Sequence, residues 1–136
     1  MTDLFVPDES AMLSLGERIG KVLKRGDIVL FEGNLGAGKT TLIRGILHGF
    51  GWKEPVRSPT YNLFSPYETD PPILHADLYR LSDAQGTGIE DYFDSHLCLI
   101  EWPLALASLV RLEHCPKVQI STEGTGRLVS LSNINL

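Results

Sequence analysis

Residues 28–41 have the sequence IVLFEGNLGAGKTT, an apolar run that leads directly into a glycine-rich loop. An uninterrupted apolar run is typical of a strand that is covered on both faces. Gly33, Gly38, Lys39 and Thr40 match the pattern G-x-x-x-x-G-K-[ST], in which glycines let backbone N–H groups approach a phosphate closely. A strand before such a loop and a helix after it form the context in which the pattern binds a nucleotide.

The residues after the loop predict an α-helix over Thr40–Phe50, which ends near Gly49 and Gly51. A helix that begins at the loop presents its positive dipole end to an anion. We expect Lys39 to reach the β and γ phosphates and the Thr40 hydroxyl to ligate Mg²⁺. The predicted nucleotide-binding residues are Asn34, Leu35, Gly36, Ala37, Gly38, Lys39, Thr40 and Thr41.

The rest of the chain alternates between helical and strand-like segments. A helix is predicted over Ser10–Leu23, with Asp8 or Ser10 as its cap and Gly26 beyond its end. The other predicted elements are an antiparallel pair of strands at Tyr61–Tyr67 and Ile73–Leu81, a short helical piece at Ile89–Phe93, a buried strand at Leu97–Ile100, a helix at Leu104–Leu112, and two strands at Val118–Ser121 and Arg127–Leu131. These elements predict an α/β fold, a P-loop NTPase-like layered arrangement with a mixed central sheet and flanking helices, in a single domain of residues 1–136.

Two acidic residues are candidates for the carboxylate that positions Mg²⁺ at the end of a neighbouring buried strand. Glu101 follows four uninterrupted apolar residues, whereas the strand before Asp77 is interrupted by His75. Glu101 is therefore the predicted metal-side carboxylate. Asp77 is predicted either to orient water or a switch residue, or to be a structural acid that belongs to the strand end or pairs with Arg80. His75 is expected to be half-buried and hydrogen-bonded rather than a metal ligand.

Trp102, directly after Glu101, has two open interpretations. It lies near the nucleotide, or it is an ordinary core residue.

The composition and charge of the chain exclude several classes of function. The chain has 136 residues, of which 43% are hydrophobic, and a net charge of -5 without a basic run. Direct, strong binding of RNA or DNA by this chain alone is therefore not expected, because such binding needs clustered basic charge. Cys98 and Cys115 have no metal-ligand spacing and are expected to be reduced thiols. Without an N-terminal signal pattern or an apolar run long enough to span a membrane, the protein is expected to be cytoplasmic.

Several segments together resemble one family, TsaE (formerly YjeE), which supports threonylcarbamoyladenosine formation on tRNA. They are the glycine-rich loop, Ser58-Pro59-Thr60-Tyr61, Asp77-Leu78-Tyr79-Arg80-Leu81 and Ile100-Glu101-Trp102, in the order and approximate spacing of the family. The loop alone is widespread, and its combination with the other three segments is much more specific. Ala76 departs from the pattern, since relatives often have an aromatic residue before the aspartate, and this difference concerns local packing.

The resemblance implies an ATPase that uses ATP and Mg²⁺, with Lys39 and Thr40 on phosphate and metal and Glu101 as a Walker B-like carboxylate. It places Thr60 in a switch-like segment that senses the γ-phosphate, and Asp77 near the active site. It also implies a helper that docks on the TsaD–TsaB pair and hydrolyses ATP so that the pair can turn over. The expected partners are therefore TsaD and TsaB.

Three other functions compete with this interpretation. A GTPase would need Asn-Lys-x-Asp for guanine, and no Asn in the chain is followed by Lys. A small-molecule kinase would need an acceptor pocket and usually an arginine-bearing lid, and after Ile100 the chain offers Arg111 and Arg127 and little length. A nucleotide-sensing module without catalysis remains open, because Lys39, Thr40 and Glu101 make hydrolysis possible without proving a useful rate.

Overall fold

The structure is a computed structural model that describes residues 2–34, 36–56 and 63–136. In these residues, strands β1–β7 form one sheet in the order β1-β7-β6-β2-β5-β4-β3. The strands are β1 (Thr2–Val6), β2 (Ile28–Glu32), β3 (Phe64–Tyr67), β4 (Ile73–Asp77), β5 (Leu97–Glu101), β6 (Lys117–Glu123) and β7 (Gly126–Ser132).

The centre of the sheet is parallel and its margins are antiparallel. Strand β2 pairs in parallel with β5 on one side and β6 on the other, and β5 pairs in parallel with β4. The β3–β4, β6–β7 and β1–β7 pairs are antiparallel. This arrangement confirms the predicted mixed sheet, and β3–β4 confirms the predicted antiparallel pair within the described residues. Strand β4 ends at Asp77 rather than Leu81, because the chain turns there: the Tyr79 N–H donates to the Asp77 Oδ1 at 3.0 Å and the Leu81 N–H to the Leu78 carbonyl at 3.0 Å.

Two α-helices pack against one face of the sheet. Helix α1 (Glu9–Gly20) is capped by Asp8, whose Oδ1 accepts a hydrogen bond from the Ala11 N–H at 2.8 Å. Helix α2 (Lys39–Gly49) begins at the end of the glycine-rich loop. Helix α1 ends three residues before the predicted Leu23. None of the helices in the described ranges combines the length and the apolar character that a membrane crossing requires.

Alternation along the strands divides the core into two clusters. Val29 and Phe31 of β2 face α1 and α2, whereas Leu30 faces the opposite side of the sheet. That opposite side is covered by loops and short 3₁₀ segments at Ile89–Tyr92, Pro103–Ser108 and Leu112–His114. The α-helices of the described chain therefore lie on one side of the sheet.

The predicted helix over Leu104–Leu112 is wrong. An α-helix would need the Ala105 carbonyl to accept from the Leu109 N–H. The Ala84 N–H donates to that carbonyl instead, at 2.9 Å, while the Leu109 N–H bonds to Leu106 three residues back. A long-range hydrogen bond thus replaces the α-helical one, and the segment is 3₁₀.

Strand β1 was not predicted. Its five residues are mostly exposed and carry little apolar periodicity, so the sequence gives no strong strand signal. It forms by antiparallel pairing with β7, a contact between residues far apart in the chain.

The crossing of α1 over α2 requires residues without side chains. A Cβ on Gly16 would lie 2.4 Å from the Leu42 carbonyl oxygen and 2.8 Å from the Gly45 Cα. These neighbours are backbone atoms of a packed helix, so a methyl group there forces the helices apart. A Cβ on Gly20, in the same helix, would meet its neighbours at 3.5 Å, an ordinary contact.

We predict that Gly16→Ala lowers the free energy of unfolding by about 1–3 kcal/mol, the usual cost of overpacking a core. Gly20→Ala is the matched control and should be neutral or slightly stabilising, because Ala favours the helix. Urea denaturation of both variants checks the difference. Equal stability of the two variants would show that the close helix crossing is absent.

Candidate functional site

The carboxyl ends of three parallel strands bring the candidate site together. Phe31 at the end of β2 is in register with Glu101 at the end of β5, and Glu101 is in register with Asp77 at the end of β4. The glycine-rich loop follows β2 immediately. Loop, Glu101 and Asp77 therefore meet at one edge of the sheet, the edge where open α/β sheets bind ligands.

The loop turns into α2 at Gly38, which has φ 109°. A residue with a side chain is strained at this angle, so glycine is required at the point where the helix begins. The N–H groups of the first turn and the helix dipole favour an anion at this position. Asn34, Gly36, Ala37, Lys39, Thr40 and Thr41 have their predicted places around this turn. Leu35 lies outside the described residues.

Lys39 is the first residue of α2 and is only 5% exposed. Its Nζ donates a hydrogen bond to the Gly33 carbonyl at 2.6 Å and lies 3.8 Å from the centre of the Trp102 ring. Burial lowers the pKa of Lys39, and the negative charges of Glu101 and Asp77 act in the opposite direction. The ammonium group is thus held over the loop by a carbonyl, an aromatic face and two carboxylates.

Trp102 lies beside Lys39 and lines the same cavity, so the interpretation of an ordinary core residue is wrong, while its closeness to a nucleotide stays a prediction. Its backbone is left-handed, with φ 54°, a costly conformation for a bulky residue. Its N–H bonds to the Phe31 carbonyl at 3.3 Å, and its ring packs against Tyr79 at 4.8 Å. The strained backbone turns the indole toward Lys39 rather than into the core.

Glu101 is buried, 4% exposed, and is paired with a fully buried His75. The His75 Nε2 lies 2.6 Å from Oε2 of Glu101. An ionised carboxylate only accepts hydrogen bonds, so Nε2 carries the proton while Glu101 is charged. The prediction that His75 is hydrogen-bonded is confirmed, and the prediction that it is half-buried is wrong. Residues 75, 77 and 101 share one sheet face because they alternate along paired strands, and the His75–Glu101 pair depends on this register, which the sequence alone does not display.

Asp77 is partly exposed, and its Oδ1 accepts a hydrogen bond from the Tyr79 N–H at 3.0 Å. Among the residues the structure describes, Asp77 forms no ion pair with Arg80. The prediction of an Arg80-paired structural acid is therefore wrong, whereas that of a structural acid at the strand end stays open, because Asp77 ends β4 and accepts from the backbone that follows it.

Three cavities adjoin the loop, and two of them lie at the start of α2. The first, about 360 Å³, is lined by Lys39, Thr40, Asp77, Glu101 and Trp102. The second, about 270 Å³, lies where the starts of α1 and β7 approach the loop. Gly36, Gly38 and Thr41 border both cavities. The structure thus brings Lys39, Thr40 and both carboxylates around one cavity, and Gly36, Gly38 and Thr41 around both. Thr60 lies outside the described residues.

The donors in the first cavity suit a phosphate with a hard metal ion. A buried ammonium and a helix N-terminus complement negative charge. A hydroxyl and a carboxylate are the oxygen ligands that Mg²⁺ takes, together with waters and substrate phosphates.

Comparison with known proteins identifies the family. The family model described as threonylcarbamoyl adenosine biosynthesis protein TsaE matches residues 6–129. A protein from Haemophilus influenzae named tRNA threonylcarbamoyladenosine biosynthesis protein TsaE is 44% identical over 108 residues, 72% of this chain and 68% of that protein. A protein of the same name from Nostoc sp. is 39% identical over 110 residues, which are 75% of this chain and 68% of that protein.

A solved structure agrees in fold. The crystal structure of YdiB from Bacillus subtilis superposes with a TM-score of 0.83 at 23% identity, covering 98% of this chain and 86% of that one. At this identity the likeness supports the α/β architecture alone. The sequence matches, which run from β1 into β7, show that this chain belongs to the TsaE family of proteins of tRNA threonylcarbamoyladenosine biosynthesis.

Proposed function

We propose that the chain binds and hydrolyses Mg-ATP, and that hydrolysis supports the threonylcarbamoyladenosine modification of tRNA. The observation that carries this proposal is the position of Lys39, Glu101 and Asp77 around one cavity at the start of α2. A cation beside two carboxylates at a helix N-terminus fits a phosphate chain with its metal. Membership of the TsaE family supports the biological process.

The two adjoining cavities suggest how the nucleotide lies. The triphosphate would occupy the cavity of Lys39, and the nucleoside would extend into the cavity beside Met12 and Arg127. Thr41 borders both, so the α-phosphate would lie near it. Lys39 would exchange its bond to the Gly33 carbonyl for the β and γ phosphates.

Thr40 and Glu101 would hold Mg²⁺, which neutralises charge on the β and γ phosphates when it is bound. His75 fixes one oxygen of Glu101 and leaves the other for the metal or one of its waters. Asp77, at the rim of the same cavity, would orient the attacking water. Thr40 and Glu101 would thus serve charge neutralisation through the metal, and Asp77 would position the water.

Hydrolysis should depend on Lys39 and Glu101. Lys39→Ala removes a preorganised positive group and should lower the rate of ADP release about 10²- to 10³-fold. Glu101→Gln retains size but loses charge, so Mg²⁺-dependent turnover should fall more than nucleotide affinity does. Steady-state ADP release and equilibrium titration with Mg-ADP measure the two effects.

Two control variants sharpen this test. Lys24→Ala removes an exposed lysine that precedes β2, at the opposite end of that strand from the loop, and should have no effect. Asp77→Asn should lower turnover without changing the dependence on Mg²⁺ concentration. An unchanged rate in Lys39→Ala would refute the proposed role of the loop. If Asp77→Asn lost the Mg²⁺ dependence and Glu101→Gln did not, the metal-side carboxylate would be Asp77 and the proposed role of Glu101 would be wrong.

We also propose that the chain acts with a protein partner, the TsaD–TsaB pair, rather than on tRNA alone. A net charge of -5 disfavours unaided tRNA binding. The ring of Tyr79, which is 57% exposed, packs against Trp102, and Leu104, which is 79% exposed, follows Trp102 by two positions. Exposed apolar side chains beside the candidate site suit a contact whose strength depends on the nucleotide.

Titration of the purified pair into this protein with ATP, ADP or a non-hydrolysable analogue tests the partnership. Affinity for the pair should differ between nucleotides, and the pair should in turn change nucleotide affinity or turnover, because coupling is reciprocal. Thr60→Ala should weaken that coupling more than ADP binding, if Thr60 senses the γ-phosphate. Equal affinity in all three conditions with an unchanged hydrolysis rate would exclude nucleotide gating.

A further inference from the structure

Arg127 joins the last strand to the glycine-rich loop. It lies near the start of β7, 90 positions beyond the loop in sequence. Its Nε donates to the Ala37 carbonyl at 3.0 Å, and its Nη2 lies 3.4 Å from the Gly36 carbonyl. Its Nη1 donates to the Gly126 carbonyl at 2.9 Å. In the described part of the chain no carboxylate forms an ion pair with this guanidinium.

These contacts matter because of how such a loop binds phosphate. The loop works when its N–H groups point at the anion, and a carbonyl that turned inward would repel it. Arg127 engages two successive carbonyls of the loop and gives both a cationic hydrogen-bond donor. Because Arg127 holds these two carbonyls, they point away from the phosphate site.

The backbone of Arg127 is itself held on both sides. Strand β7 pairs with β1 and with β6, and Arg127 is in register with Val6 on one side and Thr122 on the other. Its backbone is therefore in the interior of the sheet rather than at a free edge. A guanidinium anchored in this way can hold a loop in one conformation before any ligand arrives.

We propose that Arg127 is a positioning residue that keeps the loop in its phosphate-binding conformation. The inference rests on the proposed nucleotide binding and adds a role that the family motifs do not contain. Arg127 acts on affinity, because a loop that must first be ordered binds more weakly. It acts equally on ADP and ATP, since the loop wraps phosphates that both nucleotides have.

The test uses the full chain with Arg127→Ala, Arg127→Lys and Arg127→Gln, and Arg111→Ala as the control. Arg111 is exposed and contributes no side-chain bond to the loop. In Arg127→Ala, Kd for Mg-ADP and for a non-hydrolysable Mg-ATP analogue should rise by the same factor, about tenfold or more. Because Arg127 also lines the second cavity, exchange of the loop amides without nucleotide separates a positioning role from a direct contact with the nucleoside. Arg127→Lys should recover part of the affinity, and Arg111→Ala should match the parent.

Hydrogen exchange provides a readout without nucleotide. Amides of residues 36–41 should exchange faster in Arg127→Ala than in the parent, with α1 unchanged. Should Arg127→Ala fail to fold, the Lys and Gln variants with a parental melting temperature carry the test. Unchanged ADP affinity and loop exchange would overturn the inference, as would loss of affinity for the ATP analogue alone, which would indicate a direct γ-phosphate contact. A parent protein that binds no nucleotide would instead refute the proposed function.

Discussion

The parallel register of β2, β5 and β4 is the constraint on which the site depends. It places the end of one apolar strand, from which the loop leaves, beside Glu101, and Glu101 beside Asp77. Side chains alternate between sheet faces, so a slip of one residue in β5 would turn Glu101 away from Lys39 and into the opposite apolar cluster. The carboxylate would then be buried without His75. Burial of Val29, Phe31, Leu97 and Leu99 on the helix-covered face holds this register in place.

The same constraint explains why charge is tolerated in the core. Among Lys, Arg, His, Asp and Glu in the described parts of the chain, the buried side chains are Lys39, His75 and Glu101. Burial of isolated charges is costly, but each of these groups has a partner within hydrogen-bonding distance. The Lys39 ammonium lies against the ring of Trp102, whose backbone is in the left-handed region. The surrounding sheet must offset the cost of this backbone conformation. Such a set of polar groups supports a site that is organised for an anion.

Much of the fold follows from local signals in the sequence. The apolar run before Gly33, the glycines of the loop and the stripe of α2 are short-range features, and they predicted strand, turn and helix correctly. Glu101 could be predicted at a strand end because four apolar residues precede it, and the family resemblance is confirmed. The roles of Lys39, Thr40, Glu101 and Asp77 in binding and catalysis remain predictions.

What the sequence did not reveal depends on long-range contacts. Strand β1 exists through pairing with β7, and the segment after Trp102 is 3₁₀ because Ala84 takes a carbonyl that an α-helix needs. Likewise, the burial of His75 depends on which strand lies beside β4. Arg127 contacts the loop only after β6 and β7 have folded back along the sheet. None of these contacts has a spacing that a single sequence displays.

A crystal structure of the protein with Mg²⁺ and a non-hydrolysable ATP analogue tests the central claim most directly. The proposal predicts that Lys39 leaves the Gly33 carbonyl for the β and γ phosphates. Mg²⁺ should lie on the Thr40 hydroxyl, with Glu101 as the nearest carboxylate, directly or through one water. A nucleotide bound away from the loop, or a metal held by Asp77 while Glu101 contacts only His75, would contradict it.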